Sequence, residues 1–227
     1  MLNHARVFHL AVLVTCCSAI TPVAAATCDG PRERREASSS SIKAFIRARQ
    51  MTVLTFGGYS GAQYEDPQAL IQHAARVLDE RVPAKTLINI GATAEGIGAV
   101  YEIAKQKGFT TMGIVSTLAR DERIALSKCV DYVFFVKDST WGGQVSGTNR
   151  LSPTSAAIVE SGTSFVAIGG GDVTRDEMLA ARRAGKSVTF IPADMNHKVA
   201  RERAQKRGEA EPTDFRGSAH GALANGT

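Results

Sequence analysis

Three glycine-rich turns hold the residues of this sequence that are best suited to contact a small anionic ligand. The turns are 57–61 (GGYSG), 91–98 (GATAEGIG) and 169–177 (GGGDVTRDE). Glycine tolerates positive φ and lets the backbone approach a ligand closely, and the Ser60 hydroxyl can donate to a phosphate oxygen. The turns therefore predict an anion cradle whose ligand-binding residues are Gly57, Gly58, Ser60, Gly61, Gly91, Gly96, Gly169, Gly170 and Gly171.

The charged and hydroxyl residues near these turns also have structural explanations. Thr174 and Glu177 have the spacing of a helix capping box, which accounts for the pair without any chemistry. Arg120 and Arg123 follow a strand end, where they either reach an anion or act as solvated charges at the start of a helix. No turn has the G-x-G-x-x-G pattern and the P-loop lysine is missing, which excludes ordinary dinucleotide-binding and kinase-like proteins.

The elements that must position these turns are short apolar strands alternating with amphipathic helices. The predicted strands are Thr52–Phe56, Thr86–Ile90, Thr111–Val115, Tyr132–Val136, Phe165–Ile168 and Ser187–Ile191. Repeated β-α units with right-handed crossovers predict an α/β protein with a three-layer, doubly wound Rossmann-like fold and a mainly parallel sheet of about six or seven strands. Ligands bind at the carboxyl ends of such strands, where all three turns fall.

The order of these elements resembles the SLOG superfamily of Rossmann-like proteins and, within it, the LONELY GUY type (lysine-decarboxylase-like) phosphoribohydrolases. The resemblance covers about residues 51–194. The family's P-G-G-x-G-T-x-x-E motif maps onto 169–177 with its spacing intact, but Gly169 replaces the proline and Val173 replaces the third glycine. The family's first loop maps onto 58–61, and Gly96 to Gly98 stands one residue short of its second glycine motif.

The resemblance implies a division of labour among the site residues. The third turn and Thr174 would hold a phosphate, while Glu177 and an upstream arginine would act at the ribose as the base–ribose bond is cleaved. Arg120 and Arg123 both lie near the position of that arginine, so the implied catalytic residues are Glu177, Arg120 and Arg123. A carboxylate suits this role because it stabilises an oxocarbenium-like ribose. No cofactor and no metal are implied.

A segment at 137–150 is long enough and rich enough in glycine to form a lid. Its single tryptophan, Trp141, would then stack on a base. The simpler interpretation, which we favour, is that Trp141 anchors the loop onto the core.

Two function classes remain open. The first is a protein that binds a nucleotide or a sugar phosphate, with hydrolysis of the N-glycosidic bond of a nucleoside monophosphate as an open question. The second is a sensor or carrier that holds such a ligand without turnover. A homodimer is left open in both.

The charge distribution argues against nucleic acid as a partner. The formal net charge is +5, but residues 51–196 contain 14 basic and 15 acidic side chains, so the surplus lies in the two ends. A duplex binder needs its basic residues on one folded face. DNA binding, known for one member of the resembled superfamily, is therefore disfavoured.

Both ends of the chain differ in composition from the centre. Residues 1–26 have an apolar stretch followed by Ala24 and Ala26, which predicts a signal peptide cleaved before Thr27. The protein would then be exported to a periplasmic or extracellular space, with membrane contact only through an uncleaved leader. The alternative is a cytoplasmic protein that starts near Met51. We expect residues 27–50 to be a charged, serine-rich linker, 51–200 the folded domain and 201–227 a flexible tail.

The cysteines predict neither a metal site nor a disulfide framework. Cys16, Cys17, Cys28 and Cys129 contain no C-x-x-C pair and lie near no histidine cluster. A domain of about 150 residues also needs no such support. We expect Cys129 to be a small apolar core residue.

Overall fold

The described residues form a seven-stranded, all-parallel sheet flanked by helices on both faces, which confirms the predicted Rossmann-like α/β fold. The structure is a computed structural model and describes residues 28–224, so the predicted leader lies outside the described residues. The strand order is β1-β5-β4-β3-β2-β6-β7. The strands are β1 (Glu33–Glu36), β2 (Thr52–Gly58), β3 (Thr86–Ile90), β4 (Thr110–Ser116), β5 (Tyr132–Val136), β6 (Ser164–Ile168) and β7 (Ser187–Ile191).

The helices cover the two faces of the sheet and so complete three layers. They are α1 (Ser39–Ala48), α2 (Pro67–Asp79), α3 (Ala99–Gln106), α4 (Leu118–Asp121), α5 (Pro153–Ser161), α6 (Asp172–Arg183), α7 (His197–Arg207) and α8 (Gly217–Leu223), with 3₁₀ turns at Pro83–Lys85 and Gly96–Gly98. Helices α2 and α3 pack on one face of the sheet, and α1, α5, α6 and α8 pack on the other. The chain leaves β2 toward β3 and later returns to its other side as β6, so the order reverses at β2.

The segment expected to be a linker contains a strand and a helix. β1 has the sequence ERRE and pairs in parallel with β5 at the edge of the sheet. Helix α1 starts at the cap residue Ser38 and buries Ile42, Phe45 and Ile46 against the sheet. The composition of residues 27–50 does not indicate β1, which has no apolar residue, and it indicates only one helical turn, at 42–47, where the structure has the ten-residue helix α1. The pairing partner that makes β1 a strand lies about a hundred residues away.

The segment expected to be a flexible tail also contains helices. Within the described residues 201–224, α7 continues to Arg207, and α8 buries Ala219 and Leu223 against α6. The Ala219 N–H donates to the Gly170 carbonyl (3.1 Å), and the Tyr59 hydroxyl donates to the Arg216 carbonyl (2.5 Å). The sparse apolar residues of this segment are thus enough to dock it beside the third glycine turn.

The expectation for Cys129 is wrong, because its sulfur is bonded to that of Cys28. The disulfide spans 101 residues and joins the start of the described chain to the connection between α4 and β5. The two cysteines have no sequence motif in common, so only the fold brings them together. Within residues 28–224, no helix has the length and apolar character needed to cross a bilayer.

Candidate functional site

A cavity of about 310 Å³ lies at the carboxyl ends of β2, β3 and β4, beside the strand where the sheet order reverses. This position and volume suit a small-molecule site, since such sites typically occupy about 300–1,000 Å³. The lining residues come from strand ends, helix starts and two connections: Thr55, Phe56, Gly57, Gly58, Ser60, Asn89, Ile90, Gly91, Thr93, Ile97, Ile114, Val115, Ser116, Ala119, Ile124, Leu126, Trp141, Thr154, Ile158, Val173, Thr174 and Glu177.

The first glycine turn packs closely against Tyr64 and the end of β6. A Cβ on Gly58 would overlap the Tyr64 hydroxyl and come within 2.9 Å of the Ile168 carbonyl oxygen. That hydroxyl accepts from the Tyr59 N–H (3.1 Å) and donates to the Ile168 carbonyl (2.7 Å). The turn therefore needs glycine at this position to bring its backbone against the cavity.

The third glycine turn leads directly into α6. Gly169 (φ +58°) and Gly170 (φ +131°) adopt conformations that favour glycine, and Gly171 precedes the helix without a side-chain cap. Within residues 28–224, the first N–H groups of α6 thus have no capping side chain, and Val173 and Thr174 of this first turn line the cavity. Such a helix start attracts an anion through its free N–H groups and the helix dipole.

The capping-box interpretation of Thr174 and Glu177 is wrong, because α6 starts at Asp172 and both residues lie within the helix. The Thr174 hydroxyl donates to the Gly58 carbonyl (3.2 Å), which joins the third turn to the first. Glu177 accepts instead from Ser155 on α5 (2.6 Å). Both side chains line the cavity, so their spacing serves the site rather than the helix end.

Glu177 is the single acidic or basic residue among the described residues that line the cavity. It is only 6% exposed. Burial raises the pKa of Glu177 to about 7, although the Ser155 hydrogen bond lowers it; the neighbouring charge of Asp176 raises it further. The carboxyl group therefore exchanges its proton near neutral pH, which suits it to donate or to accept a hydrogen bond from a ligand.

Asn89 lines the cavity and has one buried side-chain acceptor without a partner among residues 28–224. It is fully buried near the end of β3, and its Nδ2 donates to the Thr55 hydroxyl (3.3 Å). Its Oδ1 has no hydrogen-bond partner among residues 28–224. A buried acceptor without a partner is costly, so this atom is suited to receive a ligand donor.

Neither predicted arginine lines the cavity. The Arg120 guanidinium is bound by Glu36 of β1 and by Asp121, and Arg123 is exposed in the turn after α4, with a positive φ of 55°. The sequence pattern places Arg120 near the site because it does not predict β1, whose glutamate holds the side chain at the edge of the sheet. The described part of the cavity has no cationic side chain.

The predicted lid segment, residues 137–150, is hydrogen-bonded to helices α5 and α6. The Gly143 N–H donates to Ser155 (2.7 Å), and the Gln144 N–H donates to Asp176 (2.9 Å). Trp141 is 49% exposed and lines the cavity, so the favoured interpretation, in which it anchors the loop in the core, is wrong. Its ring is instead available to a ligand at the cavity mouth.

The structure brings together six of the predicted site residues at the cavity surface: Gly57, Gly58, Ser60, Gly91, Thr174 and Glu177. The other five predicted ligand-binding glycines, Gly61, Gly96, Gly169, Gly170 and Gly171, belong to the same turns but do not line the cavity. The sequence patterns did not identify Asn89 or Ser155. A polar residue within a buried strand is a signal that could have identified Asn89, whereas Ser155 has no local signal.

Comparison with known proteins finds distant structural similarity only. No family model matches the sequence, and no curated protein matches it. One similar solved structure is TM1055, a structural genomics target (22% identity, 61% of this chain and 72% of that one, TM-score 0.43). Another is the Moco carrier protein from Chlamydomonas reinhardtii (16% identity, 70% and 85%, TM-score 0.45). At these identities the similarity is one of fold alone.

Proposed function

We propose that the protein is a binding module that holds a nucleotide or a sugar phosphate in this cavity without turnover. The observation that carries the proposal is the cavity itself, which joins an uncapped start of α6 to the unpartnered Asn89 amide oxygen. The helix start would take the phosphate, and Asn89 and Glu177 would hydrogen-bond the uncharged part of the ligand.

Hydrolysis of the N-glycosidic bond is the second candidate. The observation that favours it is Glu177, since a carboxyl group whose pKa is raised to about 7 is well placed for proton transfer at neutral pH. The arginine that the resemblance requires beside it does not line the cavity among residues 28–224. Binding without cleavage therefore has the stronger support.

The first test is calorimetric titration of the full chain with a panel of nucleoside 5′-monophosphates and sugar phosphates, each paired with its phosphate-free counterpart. We expect at least one phosphorylated ligand to bind, and its counterpart to bind at least tenfold more weakly. Chromatography of the same mixtures should show no free base. Base released by the wild type but not by Glu177→Gln would establish the hydrolase instead, and absence of binding throughout the panel would contradict both functions.

Asn89 provides a second test. Asn89→Leu keeps roughly the same shape but removes the amide, so we expect about tenfold weaker binding of the identified ligand, as one lost hydrogen bond implies. Asn149→Leu is the matched control, because Asn149 is exposed and lies outside the cavity lining. Equal affinities for the two variants would show that Asn89 does not contact the ligand.

We also propose that the protein works in an oxidising compartment, as the predicted leader implies. The Cys28–Cys129 disulfide supports this proposal, because such bonds persist mainly in exported proteins. N-terminal sequencing of the native protein should begin at Thr27, and alkylation without reductant should leave Cys28 and Cys129 unlabelled. A native chain that starts near Met51 would lack Cys28 and would contradict export.

A further inference from the structure

The disulfide fastens the start of the described chain along one edge of the sheet. Next to it, the Gly30 N–H donates to the Lys128 carbonyl (2.8 Å), and the Arg32 N–H donates to the Asp131 carbonyl (2.9 Å). From Glu33 the segment continues as β1 on β5. Residues 28–36, which we call the strap, are therefore held by a short ladder of backbone hydrogen bonds and, at Cys28, by one covalent bond.

On the other side of the disulfide, residues 122–129 form one wall of the cavity. Ile124 and Leu126 of this wall line the cavity. Leu126 forms a bridge with Thr93, and the Ser127 N–H donates to the Ala92 carbonyl (3.0 Å). Both contacts fall on the second glycine turn, so the wall and that turn close the cavity together.

Cys129 is connected to this contact within two residues. The Cys129 N–H donates to the Ser127 hydroxyl (3.2 Å), and the Ser127 N–H in turn donates to the Ala92 carbonyl. The disulfide thus fixes the end of the wall at the point where the wall meets the second glycine turn. The disulfide is therefore separated by only two residues from the contact between the wall and the second glycine turn.

Local contacts also hold the wall: the N–H groups of residues 122–124 donate to carbonyl groups of residues 118–120, and the Thr111 hydroxyl donates to the Cys129 carbonyl (2.7 Å). Residues 122–125 are exposed and belong to no helix or strand, and Ile124 is 48% exposed although it lines the cavity. Exposed segments outside helices and strands open at a lower free-energy cost than the core of the sheet. The disulfide adds a covalent anchor at Cys129 to the local contacts of the wall.

We propose that thiol–disulfide exchange at Cys28 and Cys129 controls this cavity. In the oxidised protein the bond holds the wall against the second glycine turn. A dithiol reductant opens the bond by two successive exchanges, in which the two cysteines take up two electrons and two protons and the reductant becomes a disulfide. The freed strap no longer fixes the wall. This inference rests on the proposed function, because it concerns the regulation of the same cavity.

The test is hydrogen exchange of the full chain, measured by mass spectrometry before and after reduction with dithiothreitol. All samples carry Cys16→Ser and Cys17→Ser, so that only the two bonded cysteines can react. We expect amides in 122–129 and at Thr93 to exchange at least tenfold faster after reduction. Amides of β2 and β6, in the middle of the sheet, should lose protection only by the amount that the loss of global stability explains, as urea unfolding of the same samples measures it.

Two single variants separate the bond from its side chains. Cys28→Ser keeps Cys129 in the wall, and Cys129→Ser keeps Cys28 in the strap. We expect the amides of 122–129 to exchange fast in both variants without reductant, and the reductant to cause no further change. Faster exchange confined to residues 28–36 would overturn the inference. Unchanged exchange in 122–129, with loss of protection confined to β2 and β6, would also overturn it, because the bond would then serve only global stability.

Titration with adenosine 5′-monophosphate distinguishes this inference from the proposed function. We expect binding by the oxidised chain and at least tenfold weaker binding by the reduced chain. Equal affinities would overturn control by the disulfide while leaving the proposed function intact. If neither form binds any phosphorylated ligand but the wall still loosens on reduction, the proposed function fails and the control of the wall stands.

Discussion

Glu177 carries most of the chemistry that this cavity can perform. The spacing Thr174-x-x-Glu177 directs attention to it, but the spacing is equally that of a helix cap, and the sequence does not decide between the two. The decision comes from Ser155, which holds the carboxyl group, and from the burial that raises its pKa to about 7. Both are properties of the packed protein, so the residue was predictable and its protonation state was not.

The pH dependence of stability tests the raised pKa of Glu177. The folded pKa lies above the unfolded value of 4.5, so the unfolded chain ionises first and stability falls as pH rises from about 4.5 to 7. Glu177→Gln removes this loss. At pH 8 we expect the variant to be more stable than the wild type by roughly 3 kcal/mol, at 1.36 kcal/mol per pKa unit. Urea unfolding at pH 5 and pH 8 measures both proteins.

Glu160→Gln is a control for which we expect the opposite change in stability. Hydrogen bonds from Lys43 and Ser39 lower the pKa of Glu160, so its carboxylate stabilises the protein above the ordinary pKa and loses that effect in acid. We expect Glu160→Gln to be less stable than the wild type at pH 8. If both glutamine variants change stability in the same direction, the inferred burial effect at Glu177 is wrong.

Ser155 links Glu177 to the segment that carries Trp141, because its hydroxyl accepts from the Gly143 N–H and donates to the carboxyl group. Ser155→Ala leaves the Gly143 N–H and the Glu177 carboxyl group, both buried, without this partner. We therefore expect a loss of about 1–3 kcal/mol in the free energy of unfolding. The pKa of Glu177 should rise as well, since the lost bond lowers it; carbon NMR titration of the carboxyl group measures this.

Ser161→Ala is the matched control on the same helix. Ser161 is also buried, but its hydroxyl has no hydrogen-bond partner within residues 28–224. Its removal should therefore leave stability and the pKa of Glu177 close to those of the wild type. Equal losses in the two variants would mean that the Ser155 contacts contribute nothing specific.

At the scale of elements, the predictions succeeded where local sequence is sufficient. Each of the six predicted strands is an apolar or β-branched run, and each appears in the sheet within one or two residues of its predicted bounds. Strand β1 and helix α8 did not stand out, and α1 was indicated for one turn only, because charged, serine-rich or glycine-containing segments resemble linkers. Their stability comes from partners far away in the chain, such as β5 for β1 and α6 for α8.

The docking of α8 is tested by Leu223→Ala. Leu223 is 1% exposed, and removing a buried leucine side chain leaves a cavity, so we expect a loss of about 2–5 kcal/mol. Val82→Ala, at a position that is 56% exposed, should change stability by less than about 0.5 kcal/mol. Chemical unfolding measures both. A loss at Leu223 no larger than that at Val82 would restore the expectation of a flexible tail.

At the scale of the whole molecule, one covalent bond joins two segments that lie far apart in the sequence. The Cys28–Cys129 disulfide closes a loop of 101 residues, which restricts the unfolded chain strongly. We expect Cys28→Ser to lower the free energy of unfolding by about 2–5 kcal/mol relative to the oxidised wild type. Urea unfolding measures this, with the reduced wild type as the matched control. Equal midpoints for the oxidised protein and Cys28→Ser would show that the bond adds no stability.

The sequence by itself determined the parallel sheet and the three glycine turns at its carboxyl edge, because strand-forming runs and turn glycines act through local backbone preferences. It also identified Thr174 and Glu177 as residues of the site. Only the tertiary structure decided that β1 closes the edge of the sheet, that Glu36 holds Arg120 away from the cavity, and that burial raises the pKa of Glu177 to about 7. These features depend on contacts between distant segments, and on the exclusion of water that such contacts produce.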